Sequence, residues 1–298
     1  MLDLGGTPVF AKRVPITDRE LAHPHSTANL FNLPTSCQYG MHPLAGPGFG
    51  VWRELAANLT VTEGLLAGET ESFALLHHWR VLPGRPPGVS EHRDIEAVVT
   101  QFGGDTAVRT RFQELADASF GLVLFLEYLP DRLADWLAHP LRRAEAVEQE
   151  LFGAVDFLHR HELLHMDGHF GNMRADDNRI FLIDFGLATS PHFDLSDAER
   201  DFVAHNVDHD ADYAAMRLVN WLVTTVVGAP ELARGDIAAR NAYVLRCSHG
   251  DMPQDLPPVV ASILARHAPA AAAMNDFSWR LVAGDTHATY TKGQQLQR

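Results

Sequence analysis

The sequence predicts an α+β protein in which a small strand-rich part, residues 1–130, precedes a larger helical part, residues 131–298. Three observations carry this. Short apolar and β-branched segments concentrate before residue 130, apolar residues at helical spacing dominate after it, and Pro130 closes an almost continuous apolar strand at the seam.

Residues 8–14 read as a strand after the turn signal Gly5, Gly6, which places Lys12 inside a strand. Residues 15–50 are rich in Pro, Gly, His and Asn without a sustained period, so an insertion or irregular arm is expected. Residues 51–66 have helical spacing, with Val51, Leu55, Leu59 and Leu66 on one face, Glu54 beside it and Gly68 near the end. A strand at 73–82, a short helix within 89–101 and a buried strand at 121–129 follow. Helices are expected at 132–138, 144–161 and 212–227, with two short strands around Met173 and at 179–183. The stretch from Asp251 onward, including the alanine run 268–273, is expected to add helices to the larger part.

Composition narrows the function. Hydrophobic residues at 46% and charged residues at 21% are ordinary for a globular chain of 298 residues. A formal charge of -14 repels a phosphate backbone, so nucleic acid is not an expected partner. The two cysteines, Cys37 and Cys247, make neither a disulfide framework nor a zinc spacing. No secretory signal is legible, and the longest apolar stretch, 218–230, is too short for a bilayer and is broken by Asn220, Thr224 and Thr225. A soluble, cytoplasmic protein without membrane partners is the expectation. Among seventeen histidines, the pairs His77 with His78 and His205 with His209 lack a third ligand at metal spacing.

The chemistry-bearing motif is His165, Met166, Asp167, Gly168, His169, Phe170, Gly171, Asn172, followed twelve residues later by Asp184, Phe185, Gly186. A helix precedes the first piece and an apolar strand separates the two. Together they resemble the catalytic loop and metal-binding triplet of the protein-kinase superfamily. That resemblance runs from about Pro8 to the helix ending near Val227, and it implies a bilobal fold with a β-rich N-lobe and a helical C-lobe. It implies ATP and Mg2+ as cofactors. Asp167 matches the aspartate that accepts the acceptor hydroxyl's proton, and Asn172 and Asp184 match the magnesium ligands. Phosphoryl transfer asks a protein mainly for in-line positioning and charge neutralisation, and hard oxygen ligands suit magnesium.

The same resemblance assigns Lys12 to the α- and β-phosphates. Its expected partner is Glu54, with Glu63 and Glu20 as rivals. Glu127 to Leu129 match the hinge whose backbone meets adenine. One of Asp208, Asp210 and Asp212 braces the catalytic loop, with Asp212 preferred.

Three departures bear on the acceptor. A glycine-rich phosphate-covering hairpin is not visible before Lys12: the first strand is missing, or the true start lies upstream. His169 stands where serine/threonine kinases usually carry lysine, as in small-molecule kinases resembling aminoglycoside and choline kinases, and its imidazole can donate to a γ-phosphate oxygen. The segment after Gly186 is short and lacks an Ala-Pro-Glu element, and Thr189 and Ser190 have no basic cluster to receive a phosphate. The leading expectation is transfer of the γ-phosphate of ATP to serine or threonine of a protein. A small-molecule kinase and a nucleotide-binding pseudokinase are the alternatives.

Overall fold

The computed structural model describes residues 2–44, 46–84, 94–227 and 236–290. Strands β1 (Leu2–Leu4), β2 (Thr7–Ile16), β3 (Leu76–Pro83) and β4 (Phe120–Glu127) form one antiparallel sheet in the order β1-β2-β4-β3. β4 is central and apolar, and Leu122, Leu124 and Leu126 lie on the face that packs with Ile16, Val51, Trp52 and Leu55. Lys12 stands opposite Leu124 in the β2–β4 register, so the rigid centre of the sheet holds it. The expected strand at 73–82 begins only at Leu76. Phe73, 1% exposed, instead makes a parallel bridge with Leu182.

Helix α2 (Val51–Leu66) lies between the sheet and the helical core, which corrects its expected apolar face. Leu59 and Leu66 are 40% and 75% exposed, whereas Val51, Trp52, Leu55, Ala57 and Val61 are buried. Two neighbours on adjacent sides bury a wider, rotated stripe than the spacing of the leucines alone suggests.

The arm between β2 and α2 is ordered by its own small core. It contains α1 (Asp18–Ala22) and a 3-10 turn at Thr35–Gln38. Phe31, Leu33, Cys37 and Phe49 pack with Val98, Val99, Phe102, Val108 and Phe112 from α3 (Ile95–Gln101) and α4 (Thr106–Asp117). The part of the expected helix at 89–93 lies outside the described residues. Helix α4 was not expected, although Asp105 caps it by accepting the Ala107 and Val108 N–H groups.

The remaining described chain is mainly helical: α5 (Leu133–Leu137), α6 (Pro140–Arg160), α7 (Asp197–His205), α8 (His209–Val226), α9 (Ile237–Ser248) and α10 (Pro258–Val282). A hairpin of β5 (Met173–Ala175) and β6 (Ile180–Leu182) follows the motif at residues 165–172. α8 is buried almost all round, as a central helix should be. The large core also takes in Tyr39 and Met41 of the arm and Ala57 and Val61 of α2. The α+β class is as expected, and the small sheet and many helices are compatible with a two-lobed arrangement. Among the described residues no helix is long and apolar enough to cross a membrane.

One buried carboxylate sets the start of α2. Gly50 offers no side-chain cap, yet Glu20, 1% exposed, accepts the Val51 N–H at 2.9 Å and places negative charge at the helix N-terminus. Its other oxygen takes the Thr17 N–H and hydroxyl at 2.9 and 2.8 Å and faces the buried Arg111 guanidinium at 2.9 Å. Glu20 is therefore not the partner of Lys12. Burial alone would push its carboxyl up, but Arg111 and the donated N–H groups outweigh that and hold it below the usual carboxylate range. A depressed folded-state value means that the stabilisation is present above the unfolded value and fades as pH falls through the folded one. Glu20→Ala should cost about 3–5 kcal/mol at neutral pH, because it strands a buried cation. Urea unfolding at pH 7 should show that loss, and the gap between variant and parent should close in acid.

Candidate active site

Lys12 Nζ lies 2.6 Å from Glu54 Oε1 and 2.8 Å from Asp184 Oδ1. Strand β2, helix α2 and the turn after β6 thus meet at one ammonium. Glu54 is buried, and of the two expected rivals Glu20 is engaged elsewhere, at the N-terminus of α2. Burial works against the Lys12 ammonium, but its two carboxylates outweigh it and raise its pKa above the ordinary lysine value. The carboxylates respond in opposite directions. Glu54 is pushed up by burial, with the Asp184 charge adding to it against the pull of Lys12. Asp184 is held down, since Lys12 and the Gly186 N–H outweigh its burial. With one ammonium between two carboxyl groups, the ionised junction carries an excess negative charge.

Arg53, the neighbour of Glu54, keeps α2 in place. Its Nε–H donates to Thr27 O of the arm, and its Nη2 donates to Glu199 Oε1, both at 2.6 Å. Glu199 is the third residue of α7 and completes a capping box with the N-cap Ser196, taking the Ser196 N–H and hydroxyl. Arm, α2 and the segment after Asp184 are so tied at one buried pair. Sequence reasoning passed over Arg53, because nothing local announces a partner 146 positions away.

The loop bearing Asp167 is held from beneath by α8. Asp210 accepts the backbone N–H of His165 at 2.5 Å and of Met166 at 3.0 Å, bracing a turn in which Met166 has φ 64°. Asp210 rather than the preferred Asp212 performs this bracing, and Asp212 instead accepts the Tyr290 hydroxyl. Both aspartates lie in the first turn of α8, two positions apart, and only the packing of the helix decides which one faces the loop. His165 joins loop to turn: its Nδ1 accepts the Asp167 N–H at 3.3 Å and its Nε2 lies 3.1 Å from Ile183 O. Burial lowers its pKa, and the neutral ring with its proton on Nε2 satisfies both bonds.

Asn172 closes the loop, with Nδ2 donating to Asp167 O and Asp167 Oδ2, each at 3.0 Å. The His169 Nδ1 accepts the Asn172 N–H at 3.2 Å, and its Nε2 lies 3.7 Å from Asp167 Oδ1. Asp184 adopts φ 69°, and Phe185, buried between Phe73 and His165, anchors the turn so that the carboxylate reaches Lys12. Glu127 is the last residue of β4, which ends before the expected residue 129, and Leu129 lies two positions beyond it. The Glu127 N–H donates to Leu75 O, and its carboxylate accepts the Leu75 N–H at 3.3 Å. Its side chain is therefore engaged by backbone.

No family model matches the chain. Among curated proteins it is similar to the serine/threonine-protein kinase PknI of Mycobacterium bovis and of two strains of Mycobacterium tuberculosis, each 27% identical over 171 residues. The match covers 56% of this chain and spans 25% of the length of those relatives. This distant, partial similarity supports a protein-kinase-like superfamily relationship and suggests a kinase-like phosphotransferase.

Proposed function

We propose that the chain is an ATP-dependent, magnesium-requiring phosphotransferase that moves the γ-phosphate of ATP to a hydroxyl acceptor. The observation that carries this reading is the meeting of Lys12, Glu54 and Asp184 beside a loop in which Asn172 holds Asp167.

The residues present fit a nucleotide-bound cation. Asp184 keeps one ammonium-facing oxygen and a second carboxylate oxygen on a side chain that is 41% exposed. Asn172 spends its amide N–H on Asp167, which leaves the hard carbonyl oxygen Oδ1 for a ligand role. The Asp184 carboxylate, which Lys12 holds in its charged form, offers negative charge to a dication. Among the described residues no group of three or more His, Cys, Asp or Glu is arranged to hold a metal by itself, so phosphate oxygens would have to complete the sphere. Asp184 and Asn172 would hold a bound magnesium ion, which would supply neutralisation of the phosphates' charge.

Each side chain then has a task. Lys12 holds the α- and β-phosphates and Glu54 keeps it oriented. Asp167 aligns the acceptor hydroxyl and takes its proton as the acceptor oxygen bonds to the γ-phosphorus and the bond to the β-bridging oxygen breaks, releasing ADP. His169 Nε2–H, next to Asp167, is placed to donate to a γ-phosphate oxygen. A serine or threonine of a protein as acceptor is supported by the name of the mycobacterial relatives. A small-molecule hydroxyl is supported by the arm, which lies against Asp167.

Asp167→Asn should lower turnover of labelled ATP by roughly 100 to 10,000-fold while nucleotide binding persists. An unchanged rate would remove Asp167 from the role of base. Calorimetric titration of ATP should show binding that strengthens with magnesium, and Lys12→Met should weaken it by about tenfold or more, the loss expected for about 1.4 kcal/mol of phosphate contact. Binding indifferent to the metal would support a pseudokinase instead.

A further inference from the structure

The arm between β2 and α2 does more than brace the helix: it crosses the acceptor side of the site. A Cβ built on Gly40 would lie 2.1 Å from Asp167 Oδ1 and 2.4 Å from its Cγ, closer than any side chain tolerates, so the backbone itself rests on the carboxylate. The Gly40 N–H donates to Met166 O at 3.2 Å, which fixes the crossing point. Asp167 Oδ1 is buried beneath it, although the side chain as a whole keeps 20% exposure.

The crossing is fastened on both sides. Before it, Gln38 Nε2 donates to Leu187 O, and beyond it Gly48 passes against Gly186 O. Tyr39 is the main anchor, 2% exposed with its ring against Phe202, His209 and Phe277 at 5.1, 5.7 and 4.8 Å. Its hydroxyl donates to Asn206 Oδ1 at 3.0 Å and accepts the Tyr290 N–H at 3.3 Å. Lifting the arm means extracting a core aromatic ring, and losses of that kind leave the open form at about one molecule in a hundred or fewer. A wall describes it better than a lid.

We infer that residues 38–44 and 46–48 are an acceptor-selecting wall and that Gly40 is its specificity-determining residue, admitting a small-molecule hydroxyl to Asp167 and excluding an extended peptide. An extended peptide would have to run its backbone through the volume that the arm occupies. A small alcohol needs only the other carboxylate oxygen, Oδ2, on the Asn172 side of Asp167. Thr189 and Ser190 are buried, and both backbone polar groups of Thr189 are taken by Leu164, so Thr189 offers no edge to a peptide. This inference rests on the phosphotransferase reading and names its substrate class.

The test uses the full chain with labelled ATP and magnesium. Acceptors are a mixture of sugars, amino alcohols and nucleosides on one side, and a serine-rich unstructured peptide and casein on the other. The parent should label the small molecules at least about 100-fold more efficiently than the peptide. Tyr39→Ala and Gln38→Ala, which loosen the wall away from the reacting groups, should raise peptide labelling relative to small-molecule labelling by about tenfold. If Tyr39→Ala does not fold, Gln38→Ala decides. Peptide labelling by the parent equal to that of the small molecules, or an unchanged ratio in the folded variants, overturns the wall. ATP hydrolysis that depends on Asp167 but yields no phosphorylated small molecule overturns the acceptor class alone. No ATP turnover at all overturns the phosphotransferase reading and the wall with it.

Discussion

A single ammonium between two carboxylates organises this protein. Lys12 comes from the sheet, Glu54 from helix α2 and Asp184 from the turn after β6, and the distances of 2.6 and 2.8 Å require all three elements to be in place at once. Charges brought this close and partly withdrawn from water are costly unless geometry is maintained, so the surrounding packing serves mainly to maintain it. The central register of β2 on β4 holds the lysine, buried Phe185 holds the aspartate, and α2 holds the glutamate.

Of these supports α2 is the most elaborate, because a helix can slide or rotate where a central strand cannot. Its first N–H is taken by Glu20, its Arg53 reaches both the arm and α7, and its apolar face is shared by two cores. Each tie uses a buried charge with a specific partner. Removing one member leaves the other stranded, so these ties work as positional locks rather than as general stabilisers. The arm supplies one end of two of them, which links the segment lying over Asp167 to the helix that positions Glu54.

Much of the candidate site was legible in the sequence because its parts are short and local. A lysine in a strand, a glutamate in the following helix, and the motif around Asp167 and Asp184 carry their signal within a few residues. What was missed depends on contacts between distant segments. Asp210 and Asp212 are equivalent in sequence until α8 is packed. Gly40 looks like one loop glycine among many, since its neighbour Asp167 is far along the chain. Helix α4 is a different case: Val108, Phe112 and Leu115 carry helical spacing behind the Asp105 cap, but a low apolar content concealed it. The irregular arm was expected from its composition, while its small core with α3 and α4 could not be, because composition does not reveal which apolar residues find partners.

The central claim is that the Asp184 carboxylate and the Asn172 carbonyl oxygen share a cation held by a nucleotide whose phosphates reach Lys12. A crystal structure with a non-hydrolysable ATP analogue and manganese, located by its anomalous scattering, tests it most directly. The account predicts one strong peak coordinated by both side chains, with phosphate oxygens within hydrogen-bond distance of Lys12 Nζ. A nucleotide bound with its metal away from Asp184 and Asn172, or phosphates remote from Lys12, would contradict it.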